Sequence, residues 1–471
     1  MPTPVVMWFR RDLRRRDNPA LAAAAADGQV VPLVVLDPAL LRSRPRDAAY
    51  LAAVRGLAEE LDGHLVVRTG DPREVVPDVC SEVGARVVHV SAEVTPGGRR
   101  RDRAVQDSLR EKAIAWIESG CPYAVGPGLV RTGSGQGFQV FTPFSRAWRA
   151  YGWRAPAQLP PGTRFVTGLG SVAIPQPPTE GVLDAAVVTE AQASARWTAY
   201  RDQLLDGYAA RRDRADLDAT SRLSTALKLG TIHPRTLLHD LGTPDGRGAH
   251  GRGTKGPGGG DRARSVERFV TELAWREFYA DVLWHHPRSA WWDLKPGLAT
   301  LDYDDPATDE QAAQRLSAWQ QGVTGYPLVD AGMRQLRTEG WMHNRVRMVV
   351  ASFLSKDLHL RWQHGARHFL DHLTDGDLAS NSHGWQWVAG TGTDAAPYFR
   401  IFNPITQGLT ADPDGDYVRR FVPELAHLPG AAVHQPWRDP SGLAHGYPER
   451  IVDHAEERVE SLARYAAARA G

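Results

Sequence analysis

The spacing of apolar and polar residues divides the chain into stretches of different character. In the first 130 residues, short apolar runs alternate with Ala-, Leu-, Arg- and Glu-rich stretches of helical length. Strands are predicted at 5–9, 30–37, 64–69 and 86–92, and helices at 18–27, 47–61, 72–83 and 99–118. Strands separated by helices predict a doubly wound parallel sheet. Such sheets bind ligands beyond the carboxyl ends of their strands. Arg10, Arg11 and Asp12 directly follow the first strand, so they are either pocket residues or solvated loop charges.

Glycine, proline and serine interrupt this rhythm after residue 130, and from residue 196 the apolar positions follow a helical period. The sequence therefore predicts an α/β domain over 1–130, a linker over 131–195 and an all-α domain over 196–471. The basic, glycine-rich stretch 242–264 has the composition of a flexible surface insertion. A contact with a nucleic-acid backbone is the alternative for this stretch.

The composition excludes several classes of protein. No run of ~18 apolar residues occurs, which excludes a membrane-spanning helix. A short apolar run followed by arginines at the N-terminus reverses the order of a secretory signal, so a cytoplasmic location is expected. Two cysteines are too few for a disulfide framework or a multi-cysteine metal site, and no metal is predicted. Because 56 Lys and Arg balance 55 Asp and Glu, any nucleic-acid contact must be a local basic patch.

Polar residues interrupt the apolar face of one predicted helix. Glu272, Trp275, Arg276 and Tyr279 lie at i, i+3, i+4 and i+7, and therefore share a face. If this face is buried, the acid and the guanidinium need partners, which indicates a binding site. The alternative is a core helix with a surface ion pair between Glu272 and Arg276.

Two later segments also combine polar side chains with tryptophans. The first contains Asn344, Arg345, Arg347 and Met348, and the second contains Asp375, Asp377, Asn381, Trp385 and Trp387. These residue types suit a pocket for a flat heteroaromatic group, in which Asp375 could pair bidentately with Arg347. A basic helix face and a surface loop anchored by its tryptophans are the alternatives. The hydroxyls of Thr220, Ser221 and Ser224 at a helix start could hold phosphate or serve as a plain N-cap.

Long motifs in both parts of the chain carry a resemblance to a known family. They read VVMWFRRDLRRRDNPAL, TSRLSTAL, ELAWREFY, GYPLVDAGMRQLRTEGWMHNRVRM, DGDLASNSHGWQWVAGTGTDAAPYFRIFNP and YPERIVDH. They resemble the DNA photolyase/cryptochrome family, in particular the bacterial class I cyclobutane pyrimidine dimer photolyases. The resemblance runs from residue 5 to near the C-terminus. It implies an N-terminal α/β antenna domain and an all-α C-terminal domain that binds FAD in a bent conformation.

The resemblance also implies the site residues. The implied cofactor-binding residues are Tyr208, Thr220, Ser221, Arg222, Leu223, Ser224, Arg276, Asn344, Arg347, Asp375, Asp377 and Asn381. The implied residues for the lesion and the DNA backbone are Arg212, Glu272, Trp275, Asn344, Arg345, Met348, Trp387 and Arg400. The implied catalytic residues are Glu272, Asn344, Trp362, Trp385 and Asn381.

Several of these positions have a specific implied role. Asn381 matches the residue that faces flavin N5, and Arg347 with Asp375 matches an ion pair beside the isoalloxazine. Trp275 and Trp387 match the aromatic walls around the flipped-out lesion. Glu272 is expected to meet the bases as a protonated or proton-sharing carboxyl, because a desolvated carboxyl favours its neutral form.

The implied activity is that of a deoxyribodipyrimidine photolyase, a carbon–carbon lyase. It repairs cyclobutane pyrimidine dimers in DNA by light-dependent electron transfer from reduced FAD to the flipped-out dimer. The family suggests a monomer. A cryptochrome-type blue-light sensor and a (6-4) photolyase are the alternatives. An antenna chromophore is left open between 8-hydroxy-5-deazaflavin, methenyltetrahydrofolate and none, with the arginine- and alanine-rich composition favouring the deazaflavin.

The sequence departs from the family pattern at a few positions. In the family's tryptophan chain, Trp385 and Trp362 match the first two members, but the third position reads Asp309. Tyr303 is the nearest upstream aromatic and is a candidate replacement. Further departures are Ser382 and His383, where the family commonly has Asn-Gly, and Phe269, where a Trp is frequent.

Overall fold

The computed structural model describes residues 3–42, 44–176, 182, 186–242, 259–295, 298, 300–394 and 400–470. Most of the predicted surface insertion, residues 243–258, lies outside the described residues. The chain forms two compact units, the first of Met1–Asp206 with Ser221–Pro287 and the second of Gly207–Thr220 with Arg288–Gly471. The domain boundaries near residues 130 and 195 stay a prediction.

The first unit contains a five-stranded parallel sheet in the order β3-β2-β1-β4-β5, which confirms the predicted fold class. Its strands are β1 Pro4–Phe9, β2 Gln29–Leu36, β3 Val66–Thr69, β4 Val87–Val90 and β5 Ala115–Glu118. Successive side chains of β1 point to opposite faces, so Val5 and Met7 enter one hydrophobic core while Val6 and Trp8 enter the other. Burial on both faces explains why the central strands read as continuous apolar runs.

Helices surround the sheet and form the rest of both units. They are α1 Pro19–Asp27, α2 Pro45–Glu60, α3 Pro72–Val83, α4 Pro96–Glu111, α5 Phe141–Tyr151, α6 Glu190–Gln203, α7 Tyr208–Arg211, α8 Ser224–Leu229, α9 Pro234–Asp240, α10 Gly259–His285, α11 Glu310–Gln321, α12 Pro327–Glu339, α13 Asn344–Ser352, α14 Trp362–His372, α15 Leu378–Ala389, α16 Pro404–Ala411, α17 Asp416–Phe421 and α18 His454–Ala470. Within the described residues, no helix combines the length and the apolar character needed to cross a membrane.

Two elements of the first unit differ from their sequence predictions. The helix predicted over 99–118 ends at Glu111, because Ala113 adopts a left-handed backbone with φ of 54° and the chain then enters β5. Four residues are too few to show a strand period. The stretch predicted as a linker contains α5, whose Phe141, Phe144 and Trp148 form a buried apolar stripe at i, i+3 and i+7. The spacing of these three apolar residues was a sequence signal from which α5 could have been predicted.

The second unit is helical and packs around one core that contains three buried tryptophans. Trp319, Trp362 and Trp385 all belong to this core. Helix α13 is regular only to Ser352, and the chain continues as a π-helical turn, Phe353–Asp357. The segment that begins near Asp377 forms the regular helix α15, so the surface-loop alternative for this segment is wrong.

Candidate functional site

The central helix α10 of the first unit presents Trp275 as a rigid aromatic surface. The Trp275 ring stacks on Phe141, with ring centroids 3.7 Å apart and an interplanar angle of 5°. Tyr279, one turn further along the helix, lies 5.4 Å away in a tilted arrangement. Trp275 is only partly buried. It is therefore held by aromatic neighbours and still offers apolar surface to a ligand.

The two charged residues on this face of α10 have separate partners. Glu272 lies 3.6 Å from Arg268, and its side chain is 31% exposed. Arg276 donates hydrogen bonds to the backbone oxygens of Pro122 and Leu227, both at 3.0 Å. The expected alternative of a Glu272–Arg276 surface pair is therefore wrong. Arg276 fixes α10 to the end of α8 and to the loop after β5.

The sequence did not single out Glu277, the residue beside Arg276. Its buried carboxylate accepts hydrogen bonds from the backbone N–H groups of Ala124 at 2.5 Å and Val125 at 3.0 Å, and from Trp148 Nε1 at 2.5 Å. Burial raises the pKa of Glu277 to about 7, although the three donors oppose this shift. Glu277 lies inside the motif ELAWREFY, between Arg276 and Phe278. A second acid in this largely apolar motif was the available sequence signal.

The predicted phosphate-side segment forms a tight turn into α8. Arg222 has a left-handed backbone with φ of 52°, and Leu223 is buried. Ser224 is the first residue of α8 and is exposed, while the backbone oxygen of Ser221 accepts a hydrogen bond from Arg196 Nε at 3.0 Å. The turn thus exposes a hydroxyl at the helix start. The neighbouring Thr220 belongs to the second unit and is half-buried.

At the carboxyl end of β1, arginines and acids are buried rather than solvated. Arg10 donates hydrogen bonds to Asp102 at 2.6 Å and to the backbone oxygen of Ser91. Its guanidinium lies 4.8 Å from the ring centroid of Trp8. Burial also raises the pKa of Asp12, whose carboxylate accepts the Arg10 backbone N–H. The solvated-loop alternative is wrong for Arg10 and Asp12.

In the second unit, α13 and the segment before α15 join two residues that the sequence singled out. Arg347 Nη2 lies 2.8 Å from Asp375 Oδ2, which confirms the predicted pairing. The pairing is not bidentate, because Arg347 Nε donates instead to the backbone oxygen of Met342 at 2.8 Å. Asp375 Oδ1 is buried and accepts no hydrogen bond from the residues that the structure describes. A donor from a bound molecule would satisfy this oxygen.

Asp377 and Asn381 are fixed by backbone contacts of α15. Asp377 is the N-cap residue, and its carboxylate accepts the Ser380 backbone N–H at 3.0 Å. Asn381 Nδ2 donates to the backbone oxygen of Ala366 on α14 at 2.9 Å. This bond fixes the orientation of the side-chain amide, whose oxygen can accept a hydrogen bond from a ligand.

Trp362 on α14 and Trp385 on α15 are packed in the core. Trp385 is 3% exposed and makes edge contacts with Phe369 and Trp319, at centroid distances of 5.0 and 6.0 Å. A Cβ at Gly365 would lie 2.1 Å from Trp385 Cη2, so a glycine at this position lets the ring lie against α14. Trp362 Nε1 donates to Asp293 Oδ1 at 2.6 Å.

The remaining predicted residues of this unit range from exposed to buried. Asn344 begins α13 and is exposed, and Arg345 beside it forms an ion pair with Asp213 at 3.0 Å. Tyr208 is buried beneath the guanidinium of Arg212. Met348 and Trp387 are partly buried and pack against the core, while Arg400 is exposed.

The likeness to known proteins covers the whole chain. Residues 5–161 match the model of DNA photolyase, and residues 269–467 match the FAD binding domain of DNA photolyase. The deoxyribodipyrimidine photo-lyase of Salmonella typhimurium is 39% identical over 495 residues and covers 100% of both chains. That of Streptomyces griseus is 40% identical over 470 residues, with 96% of this chain and 97% of the relative covered. The chain belongs to the DNA photolyase/cryptochrome family.

A solved structure of the family agrees with this fold. A bacterial class III photolyase from Agrobacterium tumefaciens has a TM-score of 0.89 and 35% identity, covering 100% of this chain and 98% of its own. The fold class, an α/β sheet domain followed by a helical FAD-binding domain, is therefore confirmed. Membership of class I within the family stays a prediction.

The second unit has polar groups that fit the flavin of a photolyase. Buried Asp375 Oδ1 has no donor among the described residues, and Arg347 fixes the other oxygen of the same carboxylate. Asn381 adds an oxygen held at a defined position by the contact with Ala366. This set can accept hydrogen bonds from the N–H and hydroxyl groups that a flavin and its ribityl chain carry.

The structure accommodates the positions that depart from the family pattern. His383 is buried, and its ring nitrogens lie 2.9 Å from Ser289 Oγ and 2.8 Å from the backbone oxygen of Ala379. Phe269 is buried beside Trp197, with ring centroids 5.5 Å apart. Tyr303 is half-buried, and the Arg361 guanidinium lies 4.9 Å from its ring centroid. A role for Tyr303 as the outer end of the tryptophan chain stays a prediction.

Proposed function

We propose that this protein repairs cyclobutane pyrimidine dimers in DNA in a light-dependent reaction. The observation that carries the proposal is the Trp275 ring, which is fixed against Phe141 at 3.7 Å yet remains partly exposed. A rigid aromatic surface suits two linked bases of one strand that have left the helical stack. Full-length relatives named deoxyribodipyrimidine photo-lyase support the same activity.

The chain's own residues bind and orient in this proposal. Bound FAD, when reduced and excited by light, supplies the electron that opens the cyclobutane ring. Arg347 and Asp375 hold the cofactor by charge and hydrogen bonds, and Asn381 presents its oxygen to the ring system. Trp275 and Trp387 supply apolar surface to the flipped-out bases.

Glu272 and Asn344 supply polar groups to the lesion. Both are accessible, since Glu272 is partly buried and Asn344 is exposed. The Glu272 side chain is 31% exposed and lies 3.6 Å from Arg268. The protonated or proton-sharing state that the resemblance implies for Glu272 stays a prediction.

The alternative activities predict different chemistry at α13. In the family, (6-4) repair uses a histidine pair near the lesion, whereas this helix begins with the accessible Asn344 followed by Met348 one turn later. His343 is buried, and its Nδ1 accepts the Arg345 backbone N–H at 3.2 Å as a helix cap. The geometry thus favours the cyclobutane dimer over the (6-4) product. A cryptochrome-type sensor would lack repair activity altogether.

The proposal includes the partners and the setting of the reaction. The substrate is DNA that contains pyrimidine dimers, and Arg212, Arg345 and Arg400 contact its backbone as a local basic rim. Arg400 is exposed, whereas Arg212 and Arg345 are partly buried. The protein acts as a cytoplasmic monomer. An 8-hydroxy-5-deazaflavin or methenyltetrahydrofolate antenna is compatible with the α/β unit, with the deazaflavin favoured.

A substrate comparison tests the proposed activity. The purified, reduced protein is illuminated with oligonucleotides that contain either a cyclobutane thymine dimer or a (6-4) product, and the products are separated by chromatography. Loss of the cyclobutane dimer in light but not in the dark is expected. Repair of the (6-4) product alone, or of neither lesion, would contradict the proposal.

A further inference from the structure

One carboxylate of the second unit lies between two arginines that were assigned to the DNA backbone. Asp213 Oδ2 lies 3.0 Å from Arg345 Nη2, and Asp213 Oδ1 lies 3.7 Å from Arg212 Nε. The arginine side chains are 23% and 14% exposed, and that of Asp213 is 48% exposed. Each oxygen of the carboxylate thus faces a different guanidinium. Both positive charges already have a counter-ion in the free protein.

The sequence around Asp213 alternates in charge, and the structure pairs the charges locally. Arg214, the next residue, forms an ion pair with Asp216. The arginines at 211, 212 and 214 are matched in number by the acids at 213, 216 and 218. Residues 211–218 therefore carry no net charge.

A DNA phosphate that approaches Arg345 must compete with Asp213 for the same donors. The carboxylate and the phosphate are both anions that accept hydrogen bonds from guanidinium, so they exclude each other at the same N–H groups. When the phosphate takes over a donor, the displaced Asp213 is left beside a polyanion. Repulsion between the two anions then opposes binding.

We infer that Asp213 acts as an intramolecular counter-ion that weakens phosphate binding at Arg345 and Arg212. The inference rests on the proposed function, which places DNA at these arginines. It concerns the strength and the salt dependence of DNA binding, and it assigns no part in bond breaking to Asp213. The effect applies to damaged and undamaged DNA alike, because the backbone charge of both is the same.

The inference differs from a purely positioning role in the sign of the expected effect. If Asp213 only holds Arg345 in place, its removal weakens DNA binding. If Asp213 competes with phosphate, its removal strengthens binding and steepens the salt dependence. The salt dependence steepens for the following reason. In the wild type, the displaced carboxylate recruits a cation, which offsets one counter-ion released from the DNA, and this offset is lost when Asp213 is removed.

Binding in the dark tests the inference with the FAD-loaded protein. Fluorescence anisotropy gives the Kd for a labelled oligonucleotide with one thymine dimer, and for its undamaged form, over a series of salt concentrations. Asp213→Asn keeps the size and an acceptor oxygen. It is expected to lower the Kd for both oligonucleotides about threefold or more, and to steepen the slope of log K against log salt by up to about 0.9.

Two further variants isolate the effect. Asp202→Asn is the matched control, because Asp202 is an exposed acid paired with its neighbour Arg201 at 2.7 Å. It is expected to change the Kd by less than half as much as Asp213→Asn. In an Arg345→Gln background, most of the gain from Asp213→Asn is expected to disappear, as a double-mutant cycle of coupled residues requires.

The outcomes separate this inference from the proposed function. Unchanged or weaker binding by Asp213→Asn, an equal effect from Asp202→Asn, or a gain that persists fully with Arg345→Gln would overturn the inference. A wild-type protein that binds dimer-containing DNA no better than undamaged DNA would instead contradict the proposed function.

Discussion

Arg347 and Asp375 share a single hydrogen bond, from Nη2 to Oδ2 at 2.8 Å, and the second oxygen of Asp375 is buried without a donor among the described residues. A buried carboxylate oxygen without a donor is costly, because desolvation is not compensated. The pair therefore suits a site that is completed by a bound molecule. The pair lies within residues 269–467, which match the FAD binding domain of DNA photolyase.

Asp375→Asn is expected to reduce both flavin retention and stability. The substitution removes the negative charge opposite Arg347 and leaves a partly buried guanidinium without its counter-ion, at a cost of about 1–3 kcal/mol. The ratio of flavin to protein after gel filtration and the thermal midpoint measure the two effects. Asp416→Asn, which breaks an exposed ion pair with Arg419, is the control and is expected to change neither. Full flavin content in Asp375→Asn would contradict the assignment of this pair.

Gly365→Ala is expected to destabilise the second unit, because the new Cβ would lie 2.1 Å from Trp385 Cη2. Overpacking of this kind costs about 1–3 kcal/mol in free energy of unfolding, measured by denaturant titration. Gly384→Ala on α15 is the matched control, since a Cβ there meets nothing within 4 Å. An alanine inside a helix is expected to be neutral or to gain about 0.5–1 kcal/mol. Equal effects of the two substitutions would show that Trp385 does not require the glycine.

Lys356 is expected to make the free energy of unfolding depend on pH in the alkaline range. It is buried in the π-helical turn, and burial lowers its pKa from 10.5 to about 8. The folded state therefore binds fewer protons than the unfolded state between pH 8 and 10.5. The contribution of Lys356 to stability rises with pH through this window and is lost as the pH falls through about 8.

The difference between the wild type and Lys356→Met isolates this contribution. The unfolding free energy of the wild type is expected to rise relative to that of the variant by up to roughly 3 kcal/mol over the window. Lys112→Met at an exposed position, where the lysine pairs with Asp78 at 3.1 Å, is the control for loss of a lysine. A difference that stays flat from pH 8 to 10.5 would show that Lys356 is not buried as a charged group.

Trp275→Ala and Trp387→Ala are each expected to weaken binding of the dimer while flavin stays bound. Loss of one stacking surface costs about 1–3 kcal/mol, which raises the Kd by about fivefold to a hundredfold. Binding of a dimer-containing oligonucleotide in the dark measures this effect. Trp292→Ala, at a ring that is 64% exposed, is the control. Unchanged Kd values in both variants would remove the two tryptophans from the lesion site.

Trp385→Phe is expected to abolish light-driven reduction of the bound flavin, while repair by chemically reduced protein continues. The phenyl ring fits the contacts with Phe369 and Trp319 but is much harder to oxidise than indole. Absorbance changes under illumination with an external reductant follow the reduction. Tyr303→Phe tests the candidate outer end of the same chain in the same assay. Normal photoreduction in Trp385→Phe would show that another route operates.

The parallel sheet could be predicted because its central strands are buried on both faces and are therefore apolar throughout. Strand β5 was not predicted, since three of its four residues at the sheet edge are exposed and carry no such pattern. Helix α15 also escaped, because its polar residues point inward, His383 to Ser289 and Gln386 to the backbone of Ser289 and Leu294. Polar residues that have hydrogen-bond partners elsewhere in the fold can be buried in a helix, although their sequence pattern is typical of a loop.

For the candidate site, the sequence predicted which two residues form one ion pair but not the geometry of their hydrogen bonds. The pairing of Arg347 with Asp375 followed from their charges, whereas the third partner, the backbone oxygen of Met342, depends on how α13 begins. The partner of Glu272 was misjudged for a related reason. Arg268 and Arg276 lie four residues on either side of Glu272, and only the fold commits Arg276 to the backbone oxygens of Pro122 and Leu227.

The most direct test of the central claim is the number of thymine dimers that remain in oligothymidylate after illumination of the reduced, flavin-loaded protein with blue light. The proposal predicts that dimers disappear in the light with many turnovers per protein and that none disappear in the dark. It also predicts that repair by the Trp275→Ala variant and by the Glu272→Ala variant is strongly impaired. Dimers that persist in the light at full flavin occupancy would contradict it.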